Sequence, residues 1–434
     1  MNIKSFLNEV CGQIKYKPAK QEISNELELH IRELKDDYLA SGMEEKEAEE
    51  KAVSKMGNAK DIGNRLNRIH RPKLNWQLLL ATVILIFFGL IVSTFKQYIT
   101  HSGYIGNTII YIVFGLIIGI IIYLFDYKQI IKYSNIIYIT ATLMMLLPFL
   151  GLGLTLNGKN FINIFGITFS PCIIAVPLYI IAFSGYIYNL DKNNGVKIKL
   201  IKIIITSIVS LLLVGILPST EYVILLGIIY LVITTIKIIK DNKKIMKKLA
   251  LAYSTTLILI LVLICGLNEF RLENNKRLEN IGGQISNIQR DVLKHAKFIG
   301  EANSQTFKDE EMLISNESNY TFIYLLGKMG IIFSVVLVFT IIVTCLLLII
   351  NIKRIKEMYG KYLVIGLSTL FILESITNIL TNIETNIAID INLPFVTYGA
   401  VYFLINCFSM AIILSIYRRK NINIYDKLYE KIDC

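Results

Sequence analysis

The sequence predicts an all-α, polytopic membrane protein with ten transmembrane helices and a small helical domain ahead of them. Three observations carry this. Hydrophobic residues make up 54% of the 434 positions and charged ones only 18%, whereas about a quarter of a soluble domain is charged. The apolar residues fall in runs of roughly 20, the length that crosses a bilayer. Lysine and arginine gather in alternate loops between those runs, the asymmetry that sets topology. The formal charge of +12 therefore belongs to membrane orientation, and no nucleic-acid partner is expected. Cys11, Cys172, Cys265, Cys345, Cys407 and Cys434 are scattered without CxxC or metal spacing, so neither a disulfide framework nor a metal site is expected. No cofactor is implied. The first apolar run begins only near Trp76, so no cleavable signal peptide is expected.

Residues 1–73 form a prefix with 14 Lys/Arg against 13 Asp/Glu. Ile23, Leu27, Ile31, Leu34 and Tyr38 recur every three to four residues and mark one helix face. Ser41-Gly42 ends that helix. A second helix spans Glu44 to Met56, with Ala48, Ala52 and Val53 inward, and Gly57-Asn58 breaks it. Ile62, Leu66 and Ile69 mark a third. The ELELHIRELKDDY and GMEEKEAEEKAVSKMG stretches resemble the helical prefix ahead of some Gram-positive permeases and sensor-like proteins. The prefix is expected to be cytoplasmic and to receive a cytoplasmic regulator; a solvated cap without a separate role is the alternative. His30 and His70 stand alone, and neither is expected to be a ligand.

Residues 74–420 hold the spans: Trp76–Phe95, Tyr104–Phe125, Tyr133–Gly153, Pro171–Tyr188, Ile198–Leu217, Tyr222–Ile236, Leu249–Leu267, Gly330–Ile350, Tyr362–Leu380 and Val396–Tyr417. With the prefix inside, the inner loops carry Lys128 and Lys132, then Lys192, Lys197 and Lys199. The next two carry a run from Lys237 to Lys248, then Lys353, Arg354, Lys356 and Lys361. The short outer loops carry Lys96 and Lys159. Both termini, including the tail 421–434, are therefore expected in the cytoplasm of a bacterial cell membrane.

One loop is unlike the rest. Residues 268–319 are about 50 residues of mixed charge, Asn, Gln and Ser, expected outside and placed where function collects on a rigid scaffold. Two other outer segments, 157–170 and 386–398, are apolar, broken by Gly or Pro, and too short to span. They are expected to be re-entrant, because irregular backbone at membrane depth must be buried in protein or line a cavity. Tyr98, Tyr104 and Tyr398 fit interface anchoring.

Glu374-x-x-x-Asn378 followed by LPFVTYGA at Leu393–Ala400 resembles the C-terminal signature of the SEDS family (shape, elongation, division and sporulation), the FtsW/RodA/SpoVE proteins. Asn157, Gly158, Gly166 and Pro171 keep the register of an earlier family motif. Leu217-Pro218-Ser219 sits at the family's Q-P-D, Gly283-Gln284 at its G-Y-Q with Gln289 beyond, and Ser318-Asn319-Tyr320 through Gly330 at T-D-F-I-F-A-V-x-x-E-E-L-G. The resemblance covers about residues 76–420. It implies polymerisation of glycan strands from lipid II, a lipid-linked disaccharide, beside a class B transpeptidase. Such transfer needs a base for the acceptor hydroxyl and a group that stabilises the leaving pyrophosphate.

The departures fall on the chemistry. The family's Asp at the loop end becomes Asn319, whose amide has no basic lone pair near neutral pH. Ile173 stands at the family's Glu, Val176 at its Lys, Ser219 at its Asp, and Gly327 and Lys328 at its paired Glu; Glu374 stands where Gln is usual. Asp309, Glu310, Glu311 and Glu317 lie near Asn319; they fit solvated loop charges, with substitution of one of them for the missing base as the alternative. Arg271, Lys276, Arg277, Arg290, Lys294 and Lys297 suit either an anionic head group or a neutral helix surface. The candidate catalytic position is Asn319, expected to be inactive; the candidate substrate-binding residues are Gln284, Glu374, Asn378, Pro394 and Tyr398. The expected function is a role in division, cell shape or sporulation with weak or no glycosyltransferase activity. An active lipid II polymerase and a lipid-linked precursor flippase or transporter are the alternatives. The long loop then reads as a docking surface rather than a catalytic one.

Overall fold

A computed structural model describes residues 2–70, 72–100, 104–156, 159–164, 167–191, 196–217, 219–241, 258, 276–302, 318–383, 389–396 and 399–420. Packing divides the chain into two compact units, Met1–Leu74 with Tyr417–Cys434, and Asn75–Ile416.

In the first unit four helices share an apolar centre: α1 (Ile3–Gln13), α2 (Lys17–Ala40), α3 (Glu45–Met56) and α4 (Ala59–His70). Phe6, Val10, Ile23, Ile31, Ala52 and Val53 form that centre. The α2, α3 and α4 helices follow the predicted periodicity. The α1 helix was not foreseen. Its apolar positions 6, 7, 10 and 14 are helically spaced, and Asn2 caps it by accepting from the Ser5 N–H at 2.8 Å.

Among the described residues of the second unit, nine helical segments are long and apolar enough to cross a membrane. The protein is a multi-pass membrane protein. The spans begin with α5 (Trp76–Thr100), α6 (Tyr104–Leu124), α7 (Ser134–Leu146, flanked by 3-10 turns) and α8 (Pro171–Tyr188). Then come α9 (Val196–Ile216) and α10 (Thr220–Asp241). An amphipathic helix, α11 (Lys276–His295), and a short one, α12 (Thr321–Met329), precede α13 (Ile331–Arg354), α14 (Met358–Ile383) and α15 (Ala400–Arg418). The predicted span Leu249–Leu267 lies outside the described residues apart from Ile258. Burial separates the helices into roles: 78% of α8 is buried against 6% of α6, so α8 is central and α6 peripheral.

Two connections differ in kind. The 157–170 stretch, expected to be re-entrant, belongs to a three-stranded antiparallel meander: β1 (Gly153–Leu156), β2 (Lys159–Ile164) and β3 (Ile167–Phe169). Pairing with β1 and β3 on its two sides satisfies the backbone of the central strand β2. Ile162 and Phe169 are buried, while Leu154 and Ile167 are exposed. The 389–396 segment, in contrast, is irregular and sunk in protein. Ile391, Leu393, Phe395 and Val396 are buried, and Phe395 takes a left-handed φ of 64°, uncommon for a side chain of its size. The Phe395 ring lies 6.4 Å from that of Phe371 and 6.1 Å from that of Phe403. Its carbonyl meets α5 at Gly89, where an added Cβ would sit 2.2 Å from that oxygen. Only glycine lets the segment enter so far.

The turn into α14 carries a buried carboxylate outside the spans. Glu357 accepts from the Tyr359 N–H at 2.7 Å, from the Gly360 N–H, and from the Tyr127 hydroxyl at 3.2 Å. Burial raises its pKa above the ordinary value, and the two backbone N–H groups oppose that rise. The folded state therefore holds this proton to a higher pH than the unfolded chain does. Its stabilising contribution is complete below pH 4.5 and is lost as pH rises through the folded pKa.

Two measurements check these points. Gly89→Ala should cost about 1–3 kcal/mol through overpacking and lower the thermal midpoint of the purified protein. Gly119→Ala, whose Cβ meets only Ala411 at 4.0 Å, should leave it in place. In Glu357→Gln the part of the decline in thermal midpoint above pH 4.5 that this group causes should vanish; a difference between wild type and variant that does not change with pH removes the assignment.

Candidate functional site

The candidate site is built along one stripe of α14. Glu374, Asn378 and Asn382 are four residues apart, so they stack on a single helix face. All three are buried. Asn382 donates to the Asn378 carbonyl of its own helix at 2.8 Å, but buried side chains with several polar groups must also find partners on neighbouring segments. These do.

Asn378 donates through Nδ2 to the Asn319 carbonyl at 2.8 Å and to the Ile391 carbonyl at 2.7 Å. Asn382 donates to the same Asn319 carbonyl at 2.9 Å and accepts from the Ile323 N–H at 2.9 Å. Two carboxamides thus hold three pieces of chain: the 318–320 turn, the first turn of α12, and the irregular 389–396 segment. Gln289 on α11 donates to the Thr381 carbonyl at 3.0 Å, which ties the amphipathic helix to the same stretch of α14.

One turn away the second part begins. The Tyr402 hydroxyl on α15 lies 3.1 Å from Glu374 Oε2 and 2.7 Å from the Asn392 carbonyl. Glu374, Tyr402, Ile173, Pro177, Phe371 and Asn406 line a cavity of about 20 Å³, enough for about one water molecule. An acid and a phenol in so small an apolar chamber can exchange a proton or hold a polar atom. The chamber is too small for a sugar.

The long loop is fastened where α12 breaks into α13. Ile331 and Ile332 donate to the Lys297 and Phe298 carbonyls at 2.9 and 3.1 Å, satisfying N–H groups at the start of α13. Gly300 and Ala302 donate to Met329 and Gly327 at 3.1 and 2.7 Å. Gly330, at φ +92°, permits the crossing, since a Cβ there would meet the Lys297 oxygen at 2.8 Å. Lys328 pairs with Glu301 at 3.2 Å.

Asn319 and Asn378 are in direct contact, and Glu374 joins them through the 389–396 segment, where Pro394 is buried. Asn319 is 2% exposed, and its Oδ1 has no hydrogen-bond partner among the described residues. It does not line the Glu374 cavity. Gln284 lies within α11, and Tyr398 lies outside the described residues. Asn382 and Tyr402 were not anticipated. The signal for Asn382 was present, as a second Asn four residues after Asn378; Tyr402 carried none, being one of many tyrosines near a helix end. No group of three or more His, Cys, Asp or Glu is placed to hold a metal among the described residues.

The FtsW/RodA/SpoVE family model, described as a cell cycle protein, matches residues 74–422. No curated protein sequence matches the chain. Among solved structures, it is similar to a chain from work on the structural coordination of polymerization and crosslinking by a peptidoglycan synthase complex. That likeness has a TM-score of 0.58 and 11% identity, and covers 80% of this chain and 98% of that one. It is also similar to the Thermus thermophilus rod shape determining protein RodA, with a TM-score of 0.54 and 11% identity over 80% of this chain and 97% of that one. A mutant of that RodA gives a TM-score of 0.55 at the same identity. At these identities the likeness is one of fold.

The clamp makes a sharp prediction. Asn378→Ala should lower stability by about 1–3 kcal/mol, because two buried carbonyls lose a donor. Asn378→Asp should cost more, because an acceptor then faces two acceptors. Thermal unfolding of the purified variants checks both, and an Asp variant as stable as wild type would remove the clamp.

Proposed function

The chain belongs to the FtsW/RodA/SpoVE family of cell cycle proteins, and from that premise we propose that it serves peptidoglycan synthesis as a membrane subunit with weak or no glycosyltransferase activity. One observation carries the reading: Asn319, at the position of the family's acid, is buried and used as a fastening point. Its backbone carbonyl is held by two carboxamides, its side chain has no basic lone pair, and it stands apart from the Glu374 cavity.

The neighbouring departures support the same reading. Ile173 and Val176 are apolar residues on the central helix α8, Val176 fully buried. Ser219 donates to the Leu217 carbonyl at 3.1 Å, while its own carbonyl accepts from the Tyr222 and Val223 N–H groups in the first turn of α10. Each position has a packing or capping task in place of a charged one. Removing buried charge from a membrane interior is energetically favourable unless function retains it.

The subunit is proposed to span a bacterial cell membrane with both termini in the cytoplasm, from the lysine and arginine asymmetry. The 268–319 loop would then face outward and offer its surface to a class B transpeptidase, with a lipid-linked disaccharide precursor as its small-molecule partner. The prefix would receive a cytoplasmic regulator.

A second reading is favoured by Glu374 alone. It is an acid beside a phenol in a cavity, so an active polymerase would use Glu374 as its base once that cavity widened enough to admit the acceptor hydroxyl. A polymerisation assay with lipid II, with and without a class B transpeptidase, separates the two. The expected result is no glycan product above the enzyme-free control in either arm. Robust product overturns the proposal, and product abolished in Glu374→Gln would assign the base.

A further inference from the structure

We propose that the end of the bundle where α7 begins, α8 ends and α9 begins holds a binding site for the phosphate of an anionic phospholipid headgroup. A cavity of about 390 Å³ opens there, lined by Lys132, Lys199, Lys202, Asn135, Asn189 and Tyr186 among others. Three lysines converge on it, and no carboxylate is in its lining among the described residues.

Two of the lysines make hydrogen bonds to neutral groups. Lys202 Nζ donates to Asn135 Oδ1 at 2.7 Å and stands 4.8 Å from the centroid of the Tyr186 ring. Lys199 Nζ donates to the Asn189 carbonyl at 3.2 Å. An amide oxygen and a ring face orient the Lys202 ammonium without neutralising it, so its charge remains available to an anion. Tyr186 is buried, which fixes the ring as a wall.

The setting selects a lipid over a soluble anion. Beside the cavity, Ile136 and Ile139 on α7 and Ile198, Ile201 and Ile205 on α9 are exposed. In a spanning helix such side chains meet acyl chains. A phosphate lodged among the lysines thus has apolar shelves beside it for its own tails. Basic pockets between helix ends at the membrane surface take anionic headgroups for this reason. The site is separate from the Glu374 cavity and holds whether or not the protein polymerises glycan.

Native mass spectrometry of the full chain in detergent, titrated with phosphatidylglycerol, phosphatidylcholine or inorganic phosphate, tests the proposal. Phosphatidylglycerol should bind, phosphatidylcholine should bind more weakly, and millimolar phosphate should not displace the lipid. Lys199→Gln and Lys202→Gln should weaken phosphatidylglycerol binding roughly fivefold for each charge removed. Lys202→Arg should retain it, as should Lys353→Gln, which lies outside the cavity. If the paired variant does not fold, Lys132→Gln at an exposed position gives the same reading. Equal lipid binding by wild type and the glutamine variants would overturn the site, and phosphate displacing the lipid would make it a free-anion site.

Discussion

The membrane unit depends on one constraint: a backbone carbonyl buried in an apolar bundle must find a donor. The irregular 389–396 segment and the 318–320 turn present such carbonyls in the interior, and neither belongs to a helix that would satisfy them. Asn378 and Asn382 supply the donors. Leaving a buried polar group unmet costs about as much as a typical hydrogen bond gains, or more. Two asparagines on one stripe of α14 therefore decide whether two non-helical segments can be built into the protein at all. The close approach of Phe395 to Gly89 and the Gln289 contact to Thr381 follow once those segments are in place.

The same stripe shows which groups the family fold itself requires. Carbonyls need donors whatever the protein catalyses, so Asn378 is tied to the fold. At position 319 the clamp uses only the backbone carbonyl, which any side chain there would leave in place. Ile173 and Glu374 line one cavity from different helices. The resemblance implies an acid at 173 and a glutamine at 374; in this chain the acid is at 374, where Tyr402 meets it.

Much of the fold was legible because a membrane simplifies the code. Length and apolarity mark a span without help from packing, so Pro171–Tyr188 is both the predicted and the observed helix. The α2, α3 and α4 helices were legible for another reason, a 3.6-residue period with Gly42 and Gly57 as stops. Where both signals fail, the sequence is ambiguous. An apolar stretch broken by glycine, such as 157–170, suits a re-entrant loop or a hairpin equally, and only cross-strand pairing chooses. Asn319 was legible as a position and not as an environment: its burial depends on Asn378 and Asn382, some 60 residues away in the chain.

The long loop gains a definite mechanical meaning from these contacts. Its Lys297–Ala302 portion runs over the break between α12 and α13 and satisfies backbone groups on both sides of Gly330. The amphipathic α11 is buried along Ile285, Ile288 and Val292, which pack with Tyr320, Ile323 and Tyr324. The described parts of the loop are thus joined to the bundle by the elements that flank Asn319. A force or a partner acting on α11 would reach α14 through Gln289 and the first turn of α12 through this apolar cluster. Asn382 connects those two routes, since it binds the Asn319 carbonyl and the Ile323 N–H together. The clamp thus joins the loop to the bundle through backbone groups, which a change of side chain at 319 leaves in place.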